Sequence, residues 1–160
     1  MKRSAERFLT NHPGSLPRPA DLVRMMFERE EGVPVDREAL AARIRAGVDD
    51  VVRKQIEAGL DVVNDGELSK PSYATYIKDR LTGFGGESHP LAYQDLVDFP
   101  EFATRVFGDP GRSRRRTPAC DGPIAVRDPR AAQVDAEDLT TALRRTSVAE
   151  GLLSAASQST

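Results

Sequence analysis

The sequence predicts a parallel α/β fold built from repeated strand–helix units. Amphipathic helical stretches alternate with short apolar runs, and a single glycine joins the longest helix to the run that follows it. Strands connected by such a helix are parallel, with a right-handed crossover between them. The pattern βα-βα-βα-β fits an open doubly wound sheet and half of a closed (β/α)8 barrel equally well.

Length and composition are those of one soluble globular domain, residues 1–160. The chain has 39% hydrophobic and 30% charged residues and a formal net charge of -2. This charge gives no general electrostatic reason to bind nucleic acid or membranes. One cysteine, no signal-peptide pattern and no run of about 20 apolar residues favour a cytoplasmic protein without a membrane span.

The first predicted unit is a strand, a stiff loop and a helix. Residues 7–12 contain an apolar pair and are predicted to form a short buried strand that ends at Pro13. Pro19 suits the first turn of the helix, and Gly32 breaks it. The apolar residues of this helix recur at helical spacing and are Leu22, Val23, Met26 and Phe27.

The second unit contains the clearest helix. Asp36 is the predicted N-cap of a helix over residues 37–58, which Gly59 ends. Residues 60–63 then read as a short buried strand. The apolar stripe of the helix consists of Leu40, Ile44, Val48, Val51, Val52 and Ile56.

The middle of the chain predicts a helix and an irregular stretch. Residues 70–81 carry apolar and aromatic side chains at helical spacing. Residues 82–119 form an irregular insertion within the domain that begins with several glycines. Its last part, residues 108–119, is rich in Gly, Pro and Arg.

The last third of the chain predicts two more strands around a helix. Residues 123–126 read as a third strand, with Cys120 a small buried residue beside it. Residues 134–145 read as a third crossover helix that Asp135 caps. Residues 151–156 are the candidate fourth strand.

Two polar clusters follow the first two predicted strands. Residues 12–15 (His-Pro-Gly-Ser) follow the first, and residues 64–67 (Asn-Asp-Gly-Glu) follow the second. Sites in parallel α/β folds form at the carboxyl ends of the strands. Adjacent parallel strands would therefore bring both clusters to the same rim of the sheet.

Each polar residue of these clusters has a functional and a structural interpretation. Ser15 is a candidate anion binder or a residue that caps the following turn. Glu67 could hold a substrate ammonium or act as a base, or could be a solvated loop carboxylate. A turn-stabilising role is favoured for Asp65 over catalysis, and a hydrogen-bonded structural role is favoured for His12.

Three stretches of the chain resemble the methionine synthase II family, which is built on the catalytic domain of cobalamin-independent methionine synthase. They are RFLTNHPGSLPRPADLVRMM, QIEAGLDVVNDGELSKPSYATYIKDRLTGFGGE and PACDGPIAV. The resemblance implies a (β/α)8 barrel, of which this chain would be the N-terminal half. It also implies methyl transfer from a folate-like donor to a zinc-bound thiol such as homocysteine, as in methionine biosynthesis. Zinc lowers a thiol's pKa and so supplies the thiolate at neutral pH.

The resemblance also implies roles for individual residues. Ser15 matches the serine that contacts the amino-acid part of homocysteine, and Glu67 matches the glutamate that binds its amino group. Pro13 stands where the synthases have an aliphatic residue lining the pocket, and Gly14 lies in the same segment. Asp65 belongs to a pair that differs from the pair usual in the family, so the resemblance leaves amino-acid specificity open.

The resemblance covers less than a whole enzyme. The zinc ligands of the family, one histidine, two cysteines and a carboxylate, belong to the second half of the barrel and have no counterpart here. His12, His89 and Cys120 are not at chelating spacing. We therefore expect a chain truncated near the barrel midpoint, inactive alone and without its own metal. Open sheet edges would favour self-association.

Two other functions compete with an enzyme fragment. The chain could be a non-catalytic module that binds an amino acid or another chain. It could also bind nucleic acid through Arg112, Arg114, Arg115 and Arg116, although that run is more typical of a solvated loop and lacks interleaved aromatic residues.

Overall fold

The computed structural model describes residues 3–72, 76–86, 94–107 and 118–155. In chain order the elements are α1 (Ala20–Glu30), α2 (Arg37–Glu57), β1 (Val62–Asn64), α3 (Ile77–Arg80), β2 (Phe84–Gly86), α4 (Gln94–Asp98), α5 (Pro100–Phe107), β3 (Ala119–Cys120), α6 (Pro129–Leu143) and β4 (Glu150–Leu152). They belong to two compact units, the first made from the described parts of Met1–Pro71 and Pro129–Thr160, the second from Ser72–Asp128.

Parallel pairing runs through the first unit. Asn11 forms a parallel bridge with Val62 at the start of β1. β1 pairs in parallel with β4, with Val62 opposite Glu150 and Asn64 opposite Leu152. The segment at Asn11 and β1 therefore lie side by side and parallel, as the sequence predicts. β4 lies parallel to β1 as well.

α2 forms where the sequence predicts it. The Asp36 carboxylate accepts hydrogen bonds from the N–H groups of Glu38 and Ala39, and this satisfies two of the unpaired donors of the first turn. The helix ends at Glu57, and Gly59 adopts a φ of 82° that favours glycine. α1 likewise begins directly after Pro19.

The core of the first unit lies between α1, α2, α6 and the strands. Aliphatic side chains from the three helices, from β1 and from the turn after it are buried together, which supplies most of the favourable free energy of folding. The cluster consists of Leu22, Met26, Leu40, Val48, Val51, Val52, Val63, Leu68, Leu139 and Ala142.

The predicted buried strand at residues 7–12 is wrong except at its end. Phe8 is 91% exposed, and within that range only Asn11 has strand-like pairing. The segment is held instead by the Asp61 carboxylate, which accepts hydrogen bonds from the Arg7 guanidinium and from the Thr10 N–H and hydroxyl. These donors, Arg7 first, hold the pKa of Asp61 well below its usual range.

The helix predicted over residues 70–81 is much shorter in the structure. Within the described part of that range, only Ile77–Arg80 is helical. Pro71 explains the loss at the start, because the residue before a proline is driven out of the helical region. Residues 73–75 lie outside the described residues.

The predicted third strand at residues 123–126 is also wrong. Of these residues only Val126 pairs, in an isolated antiparallel bridge with Leu81. The strand of this region is β3, which pairs antiparallel with β2. Ile124 and Val126 are exposed, so the apolar run is not a core strand. Cys120 is exposed as well, which contradicts its predicted burial, because β3 is a two-residue surface strand.

The last helix and strand lie near their predicted positions with different bounds. α6 begins at Pro129, which suits a first helical turn, so Asp135 is an internal, buried residue and not a cap. β4 is Glu150–Leu152 and is the third parallel segment of the first unit, not the fourth. Across the described ranges, no helix combines the length and apolar character needed to cross a membrane.

The second unit contains α3, β2, α4, α5 and β3. It includes the described part of residues 82–119, which the sequence predicts to be an irregular insertion. β2 and β3 form a small antiparallel ladder with an irregular register. Val97, Phe99 and Phe102 leave more than half of their surface exposed.

Candidate functional site

The two polar clusters meet in the structure. The Ser15 hydroxyl donates a hydrogen bond of 2.5 Å to Oε2 of Glu67. One residue further on, the Leu16 N–H donates to the Gly66 carbonyl at 3.0 Å. The sequence-based expectation that both clusters share one rim is therefore observed, with a side-chain and a backbone contact between them.

A tight turn at the end of β1 sets the direction of Glu67. Gly66 and Glu67 both have positive φ angles, 61° and 55°. The Asn64 side-chain oxygen accepts from the Gly66 N–H at 2.7 Å, and the Asp65 carboxylate accepts from the Glu67 N–H at 3.0 Å. The turn-stabilising role predicted for Asp65 is observed here.

Glu67 is buried. The alternative interpretation from the sequence, a solvated loop carboxylate without a function, is therefore wrong. Its relative exposure is 4%, whereas Ser15 beside it is exposed. Among the described residues, only the Ser15 hydroxyl donates a hydrogen bond to the Glu67 carboxylate. A carboxylate on a buried residue is stabilised when a cationic group pairs with it.

A glutamine on α2 anchors the end of β1. The Gln55 side chain donates to the Asn64 carbonyl at 2.8 Å and accepts from the Asn64 N–H at 3.1 Å. The Asn64 side-chain amide in turn donates to the His12 carbonyl. This chain of bonds runs from the helix through β1 to the loop that carries Ser15, and it fixes the rim against the core.

Charged groups surround the turn from several elements. Burial, the main cause, raises the pKa of Asp65, and the carboxylates of Asp135 and Glu67 act in the same direction. The Glu67 N–H and the positive charge of Lys70 lower it. Lys70 is itself buried, and its ammonium donates to the Ser154 carbonyl at 2.5 Å, just beyond β4.

The raised pKa of Asp65 predicts a pH-dependent stability. Between the unfolded and the folded pKa, the folded chain keeps a proton that the unfolded chain has lost, so the free energy of unfolding falls as pH rises through that window. In Asp65→Asn, whose side-chain oxygen can still accept from the Glu67 N–H, this contribution disappears. The variant should therefore gain stability relative to the native chain as pH rises, measured by urea unfolding at several pH values.

Asp49→Asn is the matched control for this prediction. Asp49 is exposed on α2 and belongs to the same unit as Asp65. Its substitution should leave the pH dependence of unfolding unchanged. Equal pH dependence in the native chain and in Asp65→Asn would contradict the assignment.

The other residues singled out from the sequence occupy the same loop or fall outside it. Pro13 is exposed, and Gly14 has a φ of 89°, which only glycine adopts readily. Nε2 of His12 is buried without a hydrogen-bond partner in the described structure, so the hydrogen-bonded role predicted for His12 is not observed at this atom. His89 and the arginines 112–116 lie outside the described residues.

Sequence reasoning missed three residues that build the site. Gln55 had a signal, because it is a polar residue on the apolar stripe of α2. Arg18 stands between two prolines, which fix the backbone of a charged residue. Lys70 gives no comparable signal, because its burial depends on β4, which lies far away along the chain.

The described residues do not assemble a metal site. Over these ranges no group of three or more His, Cys, Asp or Glu side chains could hold a metal ion.

Comparison with known proteins shows a partial similarity to a methyltransferase. The 5-methyltetrahydropteroyltriglutamate–homocysteine methyltransferase of Streptomyces avermitilis is 34% identical over 76 residues, which is 48% of this chain. The relationship is distant and partial. The aligned segment covers 10% of that enzyme, so the chain spans only a small part of its relative. No protein-family profile matches the chain.

Proposed function

We propose that this chain carries the amino-acid-binding portion of a methyltransferase-type barrel, with Glu67 as the acceptor of a substrate ammonium group. One observation carries the proposal: the Glu67 carboxylate is buried, and among the described residues it receives a hydrogen bond only from the Ser15 hydroxyl at 2.5 Å. The partial similarity to a homocysteine methyltransferase supports the class of substrate.

The chemistry favours a cation at this position. A buried carboxylate is stabilised by a charge-assisted hydrogen bond from an ammonium group, which is stronger than a bond between neutral partners. Ser15 is exposed while Glu67 is not, so a ligand would approach from the Ser15 side of the loop.

The proposed fold is part of a (β/α)8 barrel. The parallel order of Asn11, β1 and β4, with α2 and α6 between successive segments, supports it. In that setting the substrate is an amino acid with a thiol, homocysteine by analogy, and the methyl donor is folate-like. We expect no methyl transfer from the chain alone, because the ligands that hold zinc in the family have no counterpart in the sequence.

A non-catalytic amino-acid-binding module is the second candidate. The same Ser15–Glu67 contact favours it, because holding an ammonium group requires no metal. The two candidates share the binding step and differ only in methyl transfer. Binding is therefore the property to measure first.

Calorimetry with a pair of matched ligands tests the proposal. L-homocysteine and 4-mercaptobutanoate share the thiol and the carboxylate and differ in the amino group. Since a hydrogen bond to a charged group contributes 1.5–3 kcal/mol, we expect homocysteine to bind about 10- to 100-fold more tightly. Equal affinities, or no binding of homocysteine, would contradict the proposal.

The exposed thiol of Cys120 has to be removed for this experiment. Both ligands carry thiols that dissolved oxygen could couple to the Cys120 thiol as a mixed disulfide, which would mimic binding. The titrations should therefore use the Cys120→Ser chain under reducing conditions. Cys120 belongs to the second unit, whereas Ser15 and Glu67 belong to the first.

A further inference from the structure

One guanidinium group binds both ends of the turn that follows Glu67. Nη2 of Arg18 donates to the Glu67 carbonyl at 2.6 Å and to the Lys70 carbonyl at 2.5 Å. Pro17 and Pro19 flank Arg18, so the backbone that presents it has little freedom. Arg18 thereby links the loop that carries Ser15 to the loop that carries Glu67.

The direction of the Glu67 side chain depends on the two peptide planes that flank its Cα. The plane before it is held by Leu16, whose N–H donates to the Gly66 carbonyl, and by Asp65, which accepts from the Glu67 N–H. The plane after it carries the Glu67 carbonyl, which accepts from Arg18 at 2.6 Å and from the Lys70 N–H at 3.0 Å. Among the described residues, the side chain that donates to this second plane is thus that of Arg18.

The backbone of Glu67 needs such support. Its φ of 55° lies in the left-handed region, which a residue with a Cβ atom rarely adopts. Conformations of this kind persist where surrounding contacts determine them. Without the Arg18 bonds the turn would relax more easily, and the carboxylate would lose its alignment with the Ser15 hydroxyl.

We propose that Arg18 is a positioning residue for Glu67, which fixes the carboxylate toward Ser15 through the backbone of the turn and does not touch the ligand. The part of this proposal that concerns ligand affinity rests on the proposed function. The part that concerns the turn does not, and it can be measured without a ligand.

The test compares Arg18→Gln and Arg18→Lys with Arg43→Gln in the Cys120→Ser background. Arg43 is a matched control because it is also in the first unit and donates to a carboxylate, Asp21, away from the turn. The first readout is amide hydrogen exchange at Leu68 and Lys70, whose N–H groups bond to Asp65 and Glu67. The second is the affinity for L-homocysteine.

We expect Arg18→Gln to speed exchange at both amides about tenfold or more, since it removes two charge-assisted bonds from the turn. Arg18→Lys should restore part of the protection, and Arg43→Gln should leave it unchanged. Homocysteine affinity should fall about tenfold in Arg18→Gln and recover partly in Arg18→Lys. If Arg18 served only the stability of the fold, Arg18→Gln would lower the free energy of unfolding without a selective loss of homocysteine affinity that Arg18→Lys partly restores.

Native exchange rates at both amides in Arg18→Gln would overturn the proposal, and so would a homocysteine affinity equal to that of Arg43→Gln. If the native chain binds no homocysteine, the proposed function fails, while the exchange rates still decide the role of Arg18 in the turn. If Arg18→Gln does not fold, the amide exchange rates of Arg18→Lys provide the test. Faster exchange at Leu68 and Lys70 with unchanged rates in α2 supports the proposal, and unchanged rates throughout overturn it.

Discussion

Glu67→Gln is expected to weaken L-homocysteine binding about 10- to 100-fold, because it replaces a charged acceptor by a neutral one of the same shape. The Ser15 hydroxyl can still donate to the glutamine oxygen, so the turn and its contact with the loop should persist. The loss should therefore appear in affinity and not in folding. Calorimetry in the Cys120→Ser background measures it.

Glu57→Gln is the matched control for this substitution. Glu57 is exposed at the end of α2 and pairs with Arg53, so its substitution changes the net charge by the same amount without touching the turn. It should leave homocysteine affinity unchanged. Equal affinity in Glu67→Gln and Glu57→Gln would contradict the role assigned to Glu67.

Leu68→Ala is expected to lower the free energy of unfolding by about 3 kcal/mol, within the 2–5 kcal/mol typical of buried Leu→Ala changes. Leu68 is fully buried in the core cluster of the first unit. Its side chain lies against Gly47 of α2. A Cβ atom added to Gly47 would lie only 2.6 Å from Cδ1 of Leu68, so the two are closely packed. Since Leu68 directly follows Glu67, it anchors the turn in the core. Urea unfolding measures the change.

Leu153→Ala provides the comparison. Leu153 lies just after β4 and is 38% exposed, so its truncation removes less buried surface. It should lower the free energy of unfolding by well under half as much as Leu68→Ala. Similar losses in the two variants would show that Leu68 is not the anchor that its burial indicates.

The helices that the sequence predicts well are those with local signals. Asp36 and Gly59 mark the two ends of α2 through a side-chain cap and a positive φ, both of which depend only on neighbouring residues. Pro19 marks the start of α1 in the same way. These elements could therefore be placed to within a residue or two.

The errors fall where distant contacts decide the outcome. The apolar pair within residues 7–12 suggests a buried strand, yet the Asp61 carboxylate binds Arg7 and Thr10 and holds the segment outside the core. Residues 123–126 look like a strand, yet their only pairing in the described structure is a single bridge at Val126. Apolar composition alone does not distinguish a core strand from a surface segment, because burial depends on partners elsewhere in the chain.

The sequence predicts which polar residues meet in the candidate site. It does not predict the buried residues and hydrogen bonds that hold them in place. Parallel-strand logic alone places Ser15 and Glu67 on one rim, and the structure joins them by a hydrogen bond. The burial of Glu67 and Lys70 and the two Arg18 bonds depend on contacts between segments that lie 49 to 84 residues apart along the chain. No spacing rule encodes such contacts.

An amide chemical-shift titration of the Cys120→Ser chain with L-homocysteine tests directly whether this rim binds an amino acid. We expect saturable shifts concentrated at Ser15, Leu16, Gly66 and Glu67, and their loss in Glu67→Gln. 4-Mercaptobutanoate at the same concentrations should produce much smaller shifts. Absence of shifts at these amides, or shifts that persist unchanged in Glu67→Gln, would contradict the assignment of this rim as the site for a substrate ammonium group.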